Sequence, residues 1–227
     1  MAPHDNLMAM SAIPPIPSDL LHAFLDDDAA ERLRTYFHSG TFTGGRFESL
    51  AGGGDRAQVA NSIEADDIVA VSLLSVHIPG RANLQILETR SDEISKLLRE
   101  VPTNVDLWDA PDGDIAPGSP ADRLWALLER LPGSGWVTAG KLLARKRPRL
   151  IPVYDQFVHS ALQRPAKDES FWLSLREALR SDESIVDRLR ELKELASLDG
   201  VSLLRVLDVA IWMKVHGEPE PTPAEAE

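Results

Sequence analysis

The stretch from Leu131 to Asp155 holds the residues best suited to chemistry. It opens with Leu131-Pro132-Gly133-Ser134-Gly135, continues through Trp136 to Leu143, gathers Arg145, Lys146, Arg147 and Arg149, and closes on Pro152-Val153-Tyr154-Asp155. The pattern predicts a helix, a tight Gly-x-Gly turn and a second helix. Glycine permits positive φ and carries no Cβ, so the backbone N–H groups that open the second helix can come close to an anion. A DNA phosphate is the natural occupant, held by Gly133, Ser134, Gly135 and Thr138, with Lys141, Arg145, Lys146 and Arg147 as cationic contacts. An ordinary connector with a glycine C-cap and Pro132 as punctuation fits the same residues. Asp155, placed before Gln156, Phe157, Val158, Ala161 and Leu162, reads from its spacing as the N-cap of the next helix.

The charge balance sharpens that picture. The chain of 227 residues carries a net charge of −12, which by itself argues against a polyanionic partner. Between Leu131 and Lys167, however, seven basic residues (those above, with Lys141, Arg164 and Lys167) face one acid, so the window is +6 and the rest −18. One basic island in an acidic body suits either a phosphate contact or a solvated helix face. Cysteine is absent, which excludes disulfides, thiolate nucleophiles, Cys-bound zinc and iron–sulfur clusters. No GxxxxGK, GxSxG, HExxH or EF-hand pattern occurs, so neither a cofactor nor a metal is expected. With no signal peptide and no apolar run of membrane length, a soluble, cytoplasmic protein that does not engage membranes is expected.

The elements that must position these residues read as helices. Residues 1–17 and 217–227 are expected to be disordered, 18–64 to form an N-terminal helix and Gly-rich loop packed on the main domain, and 65–216 to form that domain. Ser18 is placed as the cap of one helix through Leu20, Leu33 and Phe37 that stops near Gly40, despite Asp26, Asp27 and Asp28 in its middle. Phe42 and Phe47 form a short hairpin or pin a loop. A nearly all-apolar helix starts at Ala65 and ends at Pro79-Gly80. Further helices follow at about 81–90, 92–100, 120–131 (capped by Ser119-Pro120), 170–180, 183–198 and 201–215. Little strand is expected.

Leu131-Pro132-Gly133-x-Gly135-x-x-Thr138-Ala139, followed by Pro152-Val153-x-Asp155, resembles the helix-hairpin-helix DNA glycosylase superfamily, the endonuclease III-like group. Tyr154 stands between Val153 and the acid where many members have Val-Asp directly. Upstream, Asp67 to His77 resembles the family's apolar core helix with its Leu-Leu-Ser-x-Gln-like turn, and the segment from Trp136 to Asp155 also resembles a group of bacterial proteins without assigned function. The resemblance implies an all-α, two-lobed glycosylase-like domain, a DNA partner, a catalytic Asp155 and, at His77, a residue that fills the gap left in the duplex. A solvated loop histidine fits His77 equally well.

Base removal develops oxocarbenium character at C1′, which a nearby carboxylate stabilises while it orients or deprotonates water. The base must leave the stack, so a pocket must accompany the acid. Trp108, Trp136, Tyr154, Trp172 and Trp212 are aromatic candidates for that pocket, and each also fits core packing. Val137 stands where the strand-cleaving members carry the Schiff-base lysine, so a monofunctional enzyme is implied. The competing expectation is a non-catalytic helix-hairpin-helix module that binds DNA or a protein partner.

Overall fold

In the computed structural model, which describes residues 15–216, the apolar periodicities become twelve α-helices, with no strand among the described residues. They are α1 (Ser18–Phe24), α2 (Ala29–His38), α3 (Ala65–Ser72), α4 (Gly80–Leu84), α5 (Ser91–Glu100), α6 (Asp112–Ile115), α7 (Pro120–Glu129), α8 (Trp136–Lys146), α9 (Gln156–Ala161), α10 (Phe171–Ser181), α11 (Glu183–Leu195) and α12 (Leu203–His216). The protein is all-α. The middle helices α3, α5, α7 and α8 pack together, while α1 and α2 pack against α11 and α12, so the two ends of the described chain build one wall jointly.

Several elements differ from the sequence expectation, each for a local reason. The first helix is two. The chain turns at Leu25–Asp28, where Asp26 accepts from Arg32 Nη2 (2.7 Å) and pairs with Lys214 Nζ (2.5 Å), which ties the break to α12. Pro17 stands at the N-cap of α1 and Ser18 is its first residue, without a capping bond. Ile16, expected in a disordered segment, is buried in the core, whereas residues 1–14 and 217–227 of the expected tails lie outside the described residues. The helix from Ala65 stops at Ser72 rather than at Pro79-Gly80. Its terminal carbonyls find side-chain donors instead of another turn: Thr43 Oγ1 reaches Leu73 O (3.0 Å) and Lys141 Nζ reaches Leu74 O (3.1 Å). Pro79 then becomes the N-cap of α4, which runs into a π turn at Gln85–Thr89. Phe42 and Phe47 flank a 3₁₀ turn at Thr43–Arg46 and not a hairpin.

The cations expected on a DNA face are inside. Arg145, Lys146 and Arg147 are each no more than 1% exposed. Arg145 donates to Asp67 Oδ1 (3.1 Å) and to the carbonyls of Phe47, Glu48 and Leu50 (2.6 Å each). Lys146 Nζ sits 2.9 Å from Asp67 Oδ2. Arg147 has no carboxylate within ion-pair distance among the described residues and donates instead to carbonyls of Ala60, Leu98, Val101 and Lys146 and to Asn61 Oδ1. Burial pushes its pKa down to about 10 and lowers that of Lys146 as well. The phosphate-contact expectation for these three residues is therefore overturned: they hold the Gly-rich loop and α5 against the end of α8. Gly54 belongs to this packing, since a Cβ there would lie 2.6 Å from Arg145 O and 2.8 Å from Asp67 Oδ1.

Asp67 is the one carboxylate shared by two of these cations. Breaking a buried pair by removing one partner costs roughly 3–5 kcal/mol, because the other charge is left uncompensated. Asp67→Asn is expected to lower the unfolding free energy by about that amount in chemical denaturation. An unchanged midpoint would show that the carbonyl ring alone satisfies Arg145 and that Lys146 does not need the carboxylate.

Candidate functional site

A cleft of about 770 Å³ opens between the two groups of helices. Its middle-helix side carries Leu73, Leu74, Val76, Trp136, Val137 and Lys141; its terminal-helix side carries Tyr36, Arg205, Asp208 and Trp212. Asp155, on the segment that joins the two sides, lines it as well. Aromatic rings wall the opening. Phe42 stacks on Tyr36 (5.0 Å, 17°), Trp212 meets both edge-on, His216 stacks on Trp212 (4.4 Å, 6°), and Phe157 packs against His216 (4.0 Å).

Asp155 does cap α9. Its Oδ1 accepts from Phe157 N (3.0 Å) and Val158 N (3.3 Å), which fixes the carboxylate at a helix start. Its Oδ2 lies 3.1 Å from Lys141 Nζ. The two side chains are 12% and 6% exposed, so the pair sits at the floor of the cleft and away from bulk water. Lys141, expected to meet phosphate, instead divides its ammonium between this carboxylate and the Leu74 carbonyl, and so links α8 to the end of α3.

The hairpin is present at Leu131–Gly135, closed by Ser134 N donating to Leu131 O (2.9 Å). Its two glycines have different reasons. Gly133 has φ +75°, and a Cβ there would lie 2.6 Å from Pro79 Cγ, so the hairpin leans on the loop before α4. Gly135 has φ −176°, extended backbone open to any residue, and a Cβ would meet nothing within 4 Å. The expectation that both glycines serve positive φ is met at Gly133 alone. Open space in front of Gly135 leaves the first turn of α8 accessible, with no side-chain cap on its N–H groups. Ser134 Oγ is buried without a hydrogen-bond partner among the described residues, and Thr138 is buried one turn into the helix. His77 is exposed on the loop between Val76, which lines the cleft, and Pro79, which touches the hairpin.

Of the aromatic candidates, Trp136 and Trp212 line the cleft. Tyr154 does not: it stacks on Phe171 (4.0 Å), donates its hydroxyl to Pro165 O (2.6 Å), and lines a separate, small cavity with Trp172. Trp108 lies by a third depression, beside Arg149. Arg149 itself is partly exposed and paired with Asp106. Among the described residues no three His, Cys, Asp or Glu side chains group as a metal site, and no helix is long and apolar enough to cross a membrane.

Residues 29–215 match the model of a family described as a family of unknown function (DUF6308). The chain belongs to that family. No curated protein and no solved structure matches it. The span shared with the DUF6308 family runs from the first residue of α2 almost to the end of α12, so it contains both walls of the cleft, the hairpin and the Lys141–Asp155 pair.

Sequence reasoning missed Tyr36, Phe42, Phe157, Arg205, Asp208 and His216 as cleft residues. A signal existed for two of them: Arg205 and Asp208 are charges one turn apart within the apolar run of α12, where an unneeded charge is costly.

The two glycines make a paired prediction. Gly133→Ala forces a side chain into left-handed backbone and against Pro79, and is expected to destabilise by about 1–3 kcal/mol. Gly135→Ala is expected to change the denaturation midpoint little. Equal losses at both positions would contradict the hairpin geometry.

Proposed function

We propose that the protein is a monofunctional DNA glycosylase-like hydrolase that removes a damaged or modified base, in the manner of base-excision repair, in the cytoplasm. The observation that carries this reading is the placement of Asp155: a carboxylate held by a helix N-terminus, paired with Lys141 and set in the floor of an aromatic-walled cleft. A carboxylate fixed there is preorganised to stabilise positive charge growing on a sugar ring, and it can orient the attacking water. Its two backbone hydrogen bonds prevent it from turning away as that charge develops. Low exposure of the pair strengthens the interaction.

The remainder of the site fits the same chemistry. Phe42, Trp136 and Trp212 offer planar surfaces of the kind on which an extruded base stacks. The uncapped first turn of α8, open in front of Gly135, is suited to a phosphate oxygen. Val137 lines the cleft at the position the resemblance assigns to the Schiff-base lysine, and it has no amine. Lys141 also lines the cleft, but its ammonium is engaged by Leu74 O and Asp155, an arrangement suited to positioning the carboxylate.

A second reading has one specific observation in its favour. Arg145, Lys146 and Arg147 are buried, so the island that was to attract a polyanion is turned inward. This favours a non-catalytic module that binds DNA weakly through the hairpin, or binds a protein partner.

Asp155→Asn separates the two readings, because asparagine caps a helix nearly as well and removes only the charge. The assay exposes wild type and variant to oligonucleotides bearing uracil, oxidised, alkylated and hypermodified bases, and scores free base and alkali-revealed abasic sites. The variant is expected to melt earlier than wild type, because Lys141 loses its carboxylate partner, to remain folded at the assay temperature, and to lower base release by about a hundredfold or more. The wild-type product is expected to be an intact abasic strand, with no borohydride-trapped adduct on Lys141. Absence of base release from the whole panel would leave the binding module as the better reading; strand cleavage with a trapped adduct would assign Lys141 a nucleophilic role.

A further inference from the structure

A second carboxylate shares the cleft. Asp208 stands on α12, on the wall opposite Lys141, and is 5% exposed. Arg205 Nη1, one turn earlier, donates to its Oδ2; among the described residues its Oδ1 accepts no hydrogen bond. Arg205 has further duties, donating to Tyr36 Oη (2.7 Å) and Gly44 O (3.1 Å), which hold α2 and the 3₁₀ turn to α12. The charged groups around Asp208 are therefore Arg205 on its own helix, Lys141 from α8 and Asp155 before α9, with Tyr36 from α2 and Glu48 from the loop beyond it acting through Arg205. Burial raises the Asp208 carboxyl, Arg205 lowers it, Asp155 raises it and Lys141 lowers it, and the balance lies at about 6.

The two carboxylates have unlike surroundings. Asp155 accepts two backbone N–H bonds and faces an ammonium 3.1 Å away. Asp208 has no backbone donor and one arginine shared with two other acceptors. A carboxyl raised by burial, with its Oδ1 free of donors among the described residues, can carry a proton near pH 6. An N-glycoside of a neutral purine is cleaved faster when a carboxylate near C1′ is joined by a proton donor to the base. A neutral base departs with the C1′–N electron pair and is a poor leaving group as an anion, so a proton supplied to one of its ring nitrogens lowers the barrier.

We propose that Asp208 is the proton donor to the departing base, and hence that the cleft takes N-glycosides of a purine, whose ring nitrogens accept that proton. The inference rests on the hydrolytic reading of Asp155. The C1′–N bond breaks with its electron pair going to the base, and the Asp208 O–H proton passes to a ring nitrogen of that base. Water bonds to C1′ and loses a proton to Asp155, from which it returns through solvent to Asp208. The products are a neutral purine and an abasic sugar, and nothing besides water is consumed.

The test uses two purines that differ in their need for the proton. Hypoxanthine must be protonated to leave well; 7-methylguanine is already cationic and leaves without help. With the full chain and oligonucleotides carrying either base, Asp208→Asn is expected to slow hypoxanthine release about a hundredfold and 7-methylguanine release less than about threefold. Asp155→Asn is expected to slow both. The wild-type pH profile makes the same test without a variant: hypoxanthine release falls about tenfold per pH unit above pH 6 as Asp208 deprotonates, while 7-methylguanine release does not follow that limb. Equal loss of both substrates in Asp208→Asn, a shared pH profile, or release confined to pyrimidines would overturn the proton-donor role and leave the Asp155 reading intact. No base release by wild type from either substrate or from the wider panel would overturn both.

Discussion

The fold depends on charges that are inside it. At the C-terminal end of α8, Arg145, Lys146 and Arg147 send three cations into the protein, where the helix carbonyl ends already favour positive charge. Arg145 gathers the carbonyls of Phe47, Glu48 and Leu50 and shares Asp67 with Lys146; Arg147 gathers those of Ala60, Leu98 and Val101. The loop from Gly44 to Gly53 holds four glycines and packs mainly through Phe47, which is buried in the core. Its backbone is further held by charge-assisted hydrogen bonds.

That loop transmits order to the cleft. Glu48, whose carbonyl binds Arg145, turns its carboxylate to Ser202, accepting from the backbone N (2.8 Å) and from Oγ (2.6 Å), while Ser202 Oγ accepts from Arg205 N (3.1 Å) and starts α12. The end of α8 and the beginning of α12 are thereby joined through a single glutamate. Lys141 and Asp208 stand one to two turns along those helices, so this bridge, together with the Thr43–Leu73 contact, helps set the spacing of the cleft walls.

How much of this was legible in the sequence depends on what kind of information each feature needs. The helices and the caps at Ser119 and Asp155 follow from local periodicity and local hydrogen-bond chemistry, and they are where the pattern puts them. The break at Asp26–Asp28 is held locally by Arg32 and tied to Lys214, which lies 188 residues away, and no local signal carries that second contact. The direction of the basic island was read from charge alone. Yet three consecutive helical residues advance by 100° each, so Arg145, Lys146 and Arg147 cannot all face one surface, and at least one had to be housed by the protein. Likewise an Arg and an Asp inside the apolar stripe of α12 require partners, and the partners, Tyr36 and Gly44, come from the other end of the chain. Tertiary pairing at that range is invisible to periodicity.

The same long reach sets the order in which the protein can be made. Tyr36 meets Arg205 across 169 residues, and one wall of the cleft is composed of the first and the last of the described helices to leave the ribosome. During translation α1 and α2 emerge with their apolar faces uncovered and wait until α11 and α12 have cleared the ribosome. Contacts of such separation form late and slowly, because the intervening chain must be closed before they are rewarded. The middle helices can consolidate around α8 beforehand, but no nascent chain shorter than about residue 216 holds a finished cleft. A premature stop anywhere upstream leaves an open half-site with exposed aromatic rings, the kind of surface on which chaperones and proteases act.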